Sequence, residues 1–233
     1  MTKSTPEFRR PHHRAVSQAL RAMNADFLVS ARCFFGGGTQ LAMALDEYRE
    51  SRDIDFICSH RGGVRALREE ITNRSLGAVL RADLDLVRDV RADRDGIRTF
   101  FRVGAVRLKF EIVFEGRIDI DGALDPKLGV PVLRPQHAIA EKLLANADRG
   151  LDESTLARDL VDLAFAAARF GKPVFEAGLA LAEEAYGTAA RRYLSASLNA
   201  FRNRAHSAQC IKSLAVDDTP TLRKGLRLLR AWM

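Results

Sequence analysis

The sequence predicts an α/β domain over residues 1–130 followed by an all-helical domain over 131–233, and three observations carry that division. Short apolar runs with period two recur between Phe27 and Leu133, interleaved with helix-period stretches. Beyond Pro135 only the helical period remains. The 233 residues suit one large domain or a domain with an appendage, and 47% hydrophobic with 29% charged residues excludes a disordered chain.

The first 25 residues read as a helix, with Ala15, Val16, Ala19, Leu20 and Met23 at three- and four-residue spacing. Phe27-Leu28-Val29 leads to Cys33-Phe34-Phe35, a short apolar strand ending on Gly36-Gly37-Gly38, and Thr39 suits an N-cap for a helix over 40–46. Residues 53–58 alternate as a strand, and 63–73 as a helix. Strands follow at 85–87, 97–103 and 106–114, with turn signals at Asp95-Gly96 and Gly104-Ala105, so an antiparallel meander is expected. Val130 to Leu133 is one more strand, which Pro131 confines to an edge or a strand start. Helices are expected over 136–148, 154–170, 174–186, 188–203, 206–215 and 220–232, broken at Asp148–Leu151, Gly171-Pro173, Gly187 and Asp217 to Pro220.

The net charge of +7 is unevenly placed. Residues 190–233 hold nine basic groups and two acids, and the rest of the chain is neutral on balance. Such asymmetry concerns partners rather than fold, and suits either a polyanion or a solvated Arg-rich surface. Cys33, Cys58 and Cys210 are widely spaced and imply neither zinc nor a disulfide framework. The five histidines show no ligand spacing and are expected at the surface. The N-terminus lacks an apolar signal segment, and no stretch is long enough to span a bilayer, so a cytoplasmic protein is expected.

Three features suggest chemistry. Gly36-Gly37-Gly38-Thr39 runs from a strand into a helix, where exposed amides can take phosphate; alone it reads equally as a plain turn. Asp53 and Asp55 share one face of a strand, with Ile54 and Phe56 on the other. Two aligned carboxylates suit Mg²⁺, or a solvent-facing pair. Glu111, between Phe110 and Ile112, would add a third carboxylate for a two-metal site, or pair with Lys109 or Arg107.

Taken in order, these features resemble the nucleotidyltransferase superfamily: a Gly-Gly-Ser/Thr turn, then D-x-D, then a further acid. Residues 34–59 resemble the AbiEii/AbiGii toxin family, with Tyr48, Arg49, Ser51, Asp53 and Asp55 in its pattern. A second block, Ile139 to Leu144 with Arg149 and then Arg158-Asp159-Leu160-Val161-Asp162-Leu163, is similar to that family's later helices. Glu111 departs from the more usual Asp.

The resemblance implies a nucleotidyltransferase-type mixed sheet and transfer of NMP from an NTP, with Mg²⁺ or Mn²⁺ and release of pyrophosphate. It implies that the Gly37 and Gly38 amides and the Thr39 hydroxyl hold phosphates, and that Asp53 and Asp55 hold the ion. Glu111 would bind a second ion or assist deprotonation, Lys142 would contact the triphosphate, and Asp159 would orient Lys142 or the base. Asp162 reads as a solvated acid or a partner of Arg158, and Arg49 as a phosphate ligand or a partner of Asp46 or Glu50. The family further implies the toxin of a toxin–antitoxin pair, with an RNA acceptor such as tRNA and an antitoxin partner. Two alternatives remain open: a small-molecule nucleotidyltransferase, and a non-catalytic nucleotide-binding protein of the same fold.

Overall fold

A computed structural model describes residues 8–233. It divides into two compact units: residues up to Met43 with Ser51–Arg134, and Ala44–Glu50 with Pro135–Met233. The chain therefore leaves the first unit for seven residues, between the Gly turn and the D-x-D strand, and returns to it.

The first unit carries an eight-stranded mixed sheet. Its strands are β1 (Cys33–Gly36), β2 (Ile54–Cys58), β3 (Asp85–Leu86), β4 (Arg91–Ala92), β5 (Gly96–Val103), β6 (Val106–Phe114), β7 (Gly122–Asp125) and β8 (Val130–Leu133). The order is β3-β5-β6-β2-β1-β8-β7, with β4 also on β5. β5 and β6 form a hairpin closing at Val103↔Val106 through Gly104, whose φ of +56° suits the turn. β2 lies antiparallel to β1 and parallel to β6.

Alternation decides which face is buried. Phe35, Phe56, Phe110 and Phe101 form a row across four strands, with ring centroids 5.6, 6.1 and 4.9 Å apart. Leu108, Ile112, Ile54 and Ile97 fill in around them, and all are buried. This face packs into one core with residues of α1 (Pro11–Arg21), α2 (Ala25–Ser30) and α4 (Arg61–Glu70). Asp55 and Glu111, one residue out of phase, are thereby turned to the opposite face.

Several expectations change in detail. Phe27-Leu28-Val29 belongs to a helix, α2, because the Asn24 side chain accepts from Phe27 N–H and Asp26 sits in the first turn. The helix after the Gly turn, α3 (Gly37–Ala44), starts two residues before Thr39, so Thr39 is not its cap. β8 lies inside the sheet, between β1 and β7; Pro131 is tolerated because it is second in the strand, and β1 meets β8 at the single register pair Phe35↔Val132. His13 and His137 are buried, not superficial. Of the expected N-terminal helix, residues 1–7 lie outside the described residues.

The second unit is helical: α5 (Pro135–Arg149), α6 (Arg158–Tyr186), α7 (Ala189–Ala200), α8 (Arg204–Ser213) and α9 (Thr219–Trp232). The break expected at Gly171-Pro173 is a kink within α6, where Gly171 adopts φ +77°, ψ 177°. α9 lies against α6 so closely that a Cβ on Gly225 would stand 1.9 Å from the Ala164 carbonyl oxygen. Leu222, Leu226 and Leu229 are buried on that side, while Arg223, Lys224, Arg227 and Arg230 are exposed. No helix among the described residues is long and apolar enough to cross a membrane.

Phe56→Ala should cost about 3–5 kcal/mol of stability, since it empties the centre of the aromatic row. Urea unfolding followed by circular dichroism checks this, and a loss below about 1 kcal/mol would contradict the assignment of the row as the core of the sheet.

Candidate active site

In the first unit the Gly turn is divided between two elements. Gly36 ends β1 and faces Asp55 in the β1–β2 register, while Gly37 and Gly38 open α3. Gly37 has φ +71°, and a Cβ there would meet Asp55 Oδ2 at 2.5 Å. Only glycine lets the backbone approach that carboxylate in this conformation. The amides of Gly37, Gly38 and Thr39 belong to the first turn of α3, which has no intrahelical acceptors for them. The Thr39 hydroxyl is buried and shares a 2.7 Å hydrogen bond with the Ser51 hydroxyl, tying the start of α3 to the segment that leads into Asp53.

Asp55 and Glu111 are register partners on the parallel strands β2 and β6. Asp53 immediately precedes β2, two residues before Asp55. Glu111 is not left as a bare ligand. Its Oε1 accepts from Arg98 Nε at 2.5 Å and its Oε2 from Lys109 Nζ at 2.6 Å. Lys109 follows from the side-chain period of β6, two residues before Glu111, whereas Arg98 is brought in by the hairpin register Arg98↔Glu111. Burial opposes ionisation of Glu111, but Lys109 and Arg98 outweigh it and hold the carboxyl below its ordinary value. Burial likewise opposes the charge on Lys109; Glu111, and then Asp55 and Asp53, raise its pKa. One ammonium thus feels all three carboxylates.

These donors divide when tested against a hard cation. Asp53 and Asp55 are of the kind that Mg²⁺ takes, few protein carboxylates beside phosphates, and both add to the raised pKa of Lys109. Each oxygen of Glu111 already accepts from a cationic side chain, so an ion there would share the carboxylate with Arg98 and Lys109. No group of three His, Cys, Asp or Glu among the described residues is gathered as a metal cage.

The second unit holds a buried chain of alternating charges. Asp162 accepts from Tyr48 Oη at 2.6 Å, from Arg49 Nε and Nη2 at 2.6 and 2.9 Å, and pairs with Lys142 Nζ at 2.8 Å. Lys142 also donates to Asp159 at 2.9 Å, and Asp159 accepts from Arg149. Tyr48 stacks on Phe165 with ring centroids 3.9 Å apart. Glu50 N–H donates to the Leu214 carbonyl, and Asp217 N–H to that of Tyr48. These bonds hold the 44–50 excursion, where Asp46 and Glu47 take positive φ.

Asp162 is thus fully buried and bound to Arg49, not solvated or paired with Arg158, and Arg49 binds Asp162 rather than Asp46 or a carboxylate of Glu50. The signal in the sequence was the three-residue spacing of Asp159 and Asp162 on one helix face; nothing local pointed across 113 residues to Arg49. Burial opposes the charge on Lys142, and Asp159 and Asp162 overcome it, so its pKa is raised. Burial opposes ionisation of Asp162 and Asp159 too; Arg49 and Lys142 lower the pKa of Asp162, and Lys142 and Arg149 hold Asp159 well below the ordinary carboxylate value.

A depressed carboxylate pKa contributes stability that is complete above the unfolded value, about 3.9 for Asp, and is lost as pH falls toward the folded value. Stability should therefore hold at neutral pH and fall progressively below about pH 4, as denaturant midpoints across pH 2–7 would show. Asp162→Asn should cost about 3–5 kcal/mol, because Arg49 and Lys142 would share one buried acid. Unchanged stability in that variant would contradict the network.

A comparison with curated proteins found no match. Among solved structures, a crystal structure described as a candidate nucleotidyltransferase from H. pylori is 17% identical, with a TM-score of 0.54, covering 94% of each chain. JHP933 from Helicobacter pylori is 19% identical, with a TM-score of 0.36 over 90% of this chain and 100% of that one. An antigenic nucleotidyltransferase-like protein from Paracoccidioides brasiliensis is 11% identical, with a TM-score of 0.33 over 93% and 92%. The first of these shows a shared fold. Residues 18–226 match the family described as "Nucleotidyl transferase AbiEii toxin, Type IV TA system". That span takes in the Gly turn, D-x-D, Glu111 and the Lys142–Asp159–Asp162 network, and the chain belongs to the AbiEii family of nucleotidyltransferase toxins.

Proposed function

We propose that the protein transfers a nucleoside monophosphate from an NTP to a hydroxyl of RNA, with tRNA as the acceptor class, acting in the cytoplasm as the toxin of a pair whose antitoxin restrains it. The observation that carries the chemistry is the contact of Gly37 with Asp55, itself in register with Glu111. It puts the amide-rich start of α3 beside carboxylates, the pairing that a phosphate–cation complex requires.

In this reading the first-turn amides of α3 take phosphate oxygens, and the Thr39–Ser51 hydrogen bond holds that turn in place. Asp53 and Asp55 would hold Mg²⁺ or Mn²⁺ shared with the triphosphate. The ion, when bound, supplies charge neutralisation and Lewis-acid polarisation of the phosphoryl group. Glu111, kept ionised by Arg98 and Lys109, is a weak base and serves to place Lys109 and to set the local charge. Asp159 and Asp162 keep Lys142 charged and fixed, which supports a role for Lys142 toward the triphosphate and for Asp159 in orienting Lys142. Transfer breaks the bond between the α-phosphorus and the bridging oxygen to the β-phosphate, forms one to the acceptor oxygen, and releases pyrophosphate. The protein's own part is orientation and electrostatics.

RNA as acceptor is supported by the exposed row Arg223, Arg227 and Arg230 on α9, which repeats at one face of a helix. A small neutral acceptor would have no use for it. Asp53→Ala should lower incorporation of label from [α-³²P]NTP into total RNA by at least about 100-fold, the scale of removing one charge-stabilising group, with the circular dichroism spectrum unchanged. Retained turnover would contradict the site, and label appearing only in small molecules would contradict the RNA acceptor.

A further inference from the structure

The helical unit carries a recess that the residues above leave unused. Its volume is about 370 Å³, and it lies where the turn after α5 meets the end of α7 and the start of α8. Asp152, Glu153, Asn199, Ala200, Asn203 and His206 line it. Leu151 adds apolar surface that is half exposed. The volume falls in the range of small-ligand sites, which begin at about 300 Å³.

Part of this lining is already committed. Asp152 accepts from Ser154 N–H, and Asn203 Oδ1 accepts from the Ala205 and His206 amides at the start of α8. The carboxylate of Glu153, the amide of Asn199 and the NH₂ of Asn203 remain to meet a ligand. His206 is backed edge-on by Phe201, with centroids 6.2 Å apart at 81°. The His206 ring, whose Nε2 lies 3.6 Å from Cys210 Sγ, and Leu151 line the recess beside those polar groups.

A second observation lies next to the recess in the chain. Arg202, beside Asn203 and just past the end of α7, is exposed, and α9, which packs against α7, carries the exposed Arg230; in keeping with that packing, partial burial and Arg202 lower the Arg230 pKa. Neither guanidinium has an acidic partner among the described residues. Two crowded cations without an acid make a place for an anion, and Arg230 continues the basic face of α9.

We propose that this recess receives one base of a single-stranded RNA, with Arg202 and Arg230 holding the adjoining phosphate. The proposal rests on the RNA reading above and adds a base-level selectivity to it. Glu153 accepts from an exocyclic amino group, which adenine, guanine and cytosine carry and uracil lacks. Acids in the recess turn a phosphate away from it, while the arginines draw the phosphate to its edge. The row along α9 then serves successive phosphates, which favours a strand over a free nucleotide.

The test uses the full chain and fluorescently labelled ten-nucleotide oligoadenylate and oligouridylate, with affinity read by anisotropy at several salt concentrations. The wild type should bind oligoadenylate more tightly than oligouridylate. Ala200→Trp fills the recess from an exposed position, and should weaken oligoadenylate binding by roughly 5- to 100-fold, the scale of one lost base stack, while NTP binding stays unchanged. Glu153→Gln should narrow the gap between the two oligomers. Arg202→Gln with Arg230→Gln should lower the slope of log affinity against log salt by about 0.7 to 1.4. Oligoadenylate binding unchanged in Ala200→Trp would overturn the recess and leave the RNA reading standing. Free AMP competing as well as the oligomer would overturn the assignment to a strand. A wild type that binds neither oligomer would overturn both.

Discussion

The parallel pairing of β2 on β6, with Phe56 and Phe110 pressed into the core beneath it, is the constraint on which the candidate site depends. Side chains on a strand alternate, so burying these two rings leaves their neighbours no choice of face. Asp55 and Glu111 emerge side by side because the rings do not. A slip of one residue in either strand would bury a carboxylate, at a cost that no hydrogen bond in this core offsets. The close approach of Gly37 follows from the same pairing, since β1 lies on the other edge of β2 and delivers the start of α3 to Asp55.

Carboxylates gathered in this way repel one another, and the fold answers with cations of its own. Lys109 and Arg98 divide the two oxygens of Glu111, and Lys109 also feels Asp53 and Asp55. The helical unit solves the same problem by burial and alternation: Arg49, Asp162, Lys142, Asp159 and Arg149 run as plus, minus, plus, minus, plus. Only Arg149, at one end, is substantially exposed. Such a chain adds little net stability over apolar packing, yet breaking one link strands a buried charge. Its effect is to fix the seven-residue excursion from Ala44 to Glu50, which joins the Gly turn to the D-x-D strand in sequence.

Much of this was legible from residue order. The strand carrying Asp53 to Cys58, the alternation around Glu111 and the helical character after Pro135 are periodic signals, and periodicity reports burial directly. Local ambiguity misled at Phe27 to Val29, where a three-residue apolar run suits a strand as well as a helix and the Asn24 cap decided it. What no local pattern contains is a partner distant in sequence. The Tyr48 and Arg49 contacts to Asp162, the Arg98 contact to Glu111 and the burial of His13 exist only once the chain has folded. Glu111 stands in register with Asp55 and is paired with Lys109, the partner that its place two residues along the same strand provides.

In the proposed function, Asp53 and Asp55, set out by the buried Phe56, would hold a cation together with the phosphates of a nucleotide. Electron paramagnetic resonance of free Mn²⁺, titrated with protein in the presence of a non-hydrolysable NTP analogue, tests it most directly. The wild type should remove about one Mn²⁺ per chain from the free signal, and Asp55→Asn, with its fold intact, should remove no more than the analogue alone. Equal Mn²⁺ uptake by the two proteins would contradict it.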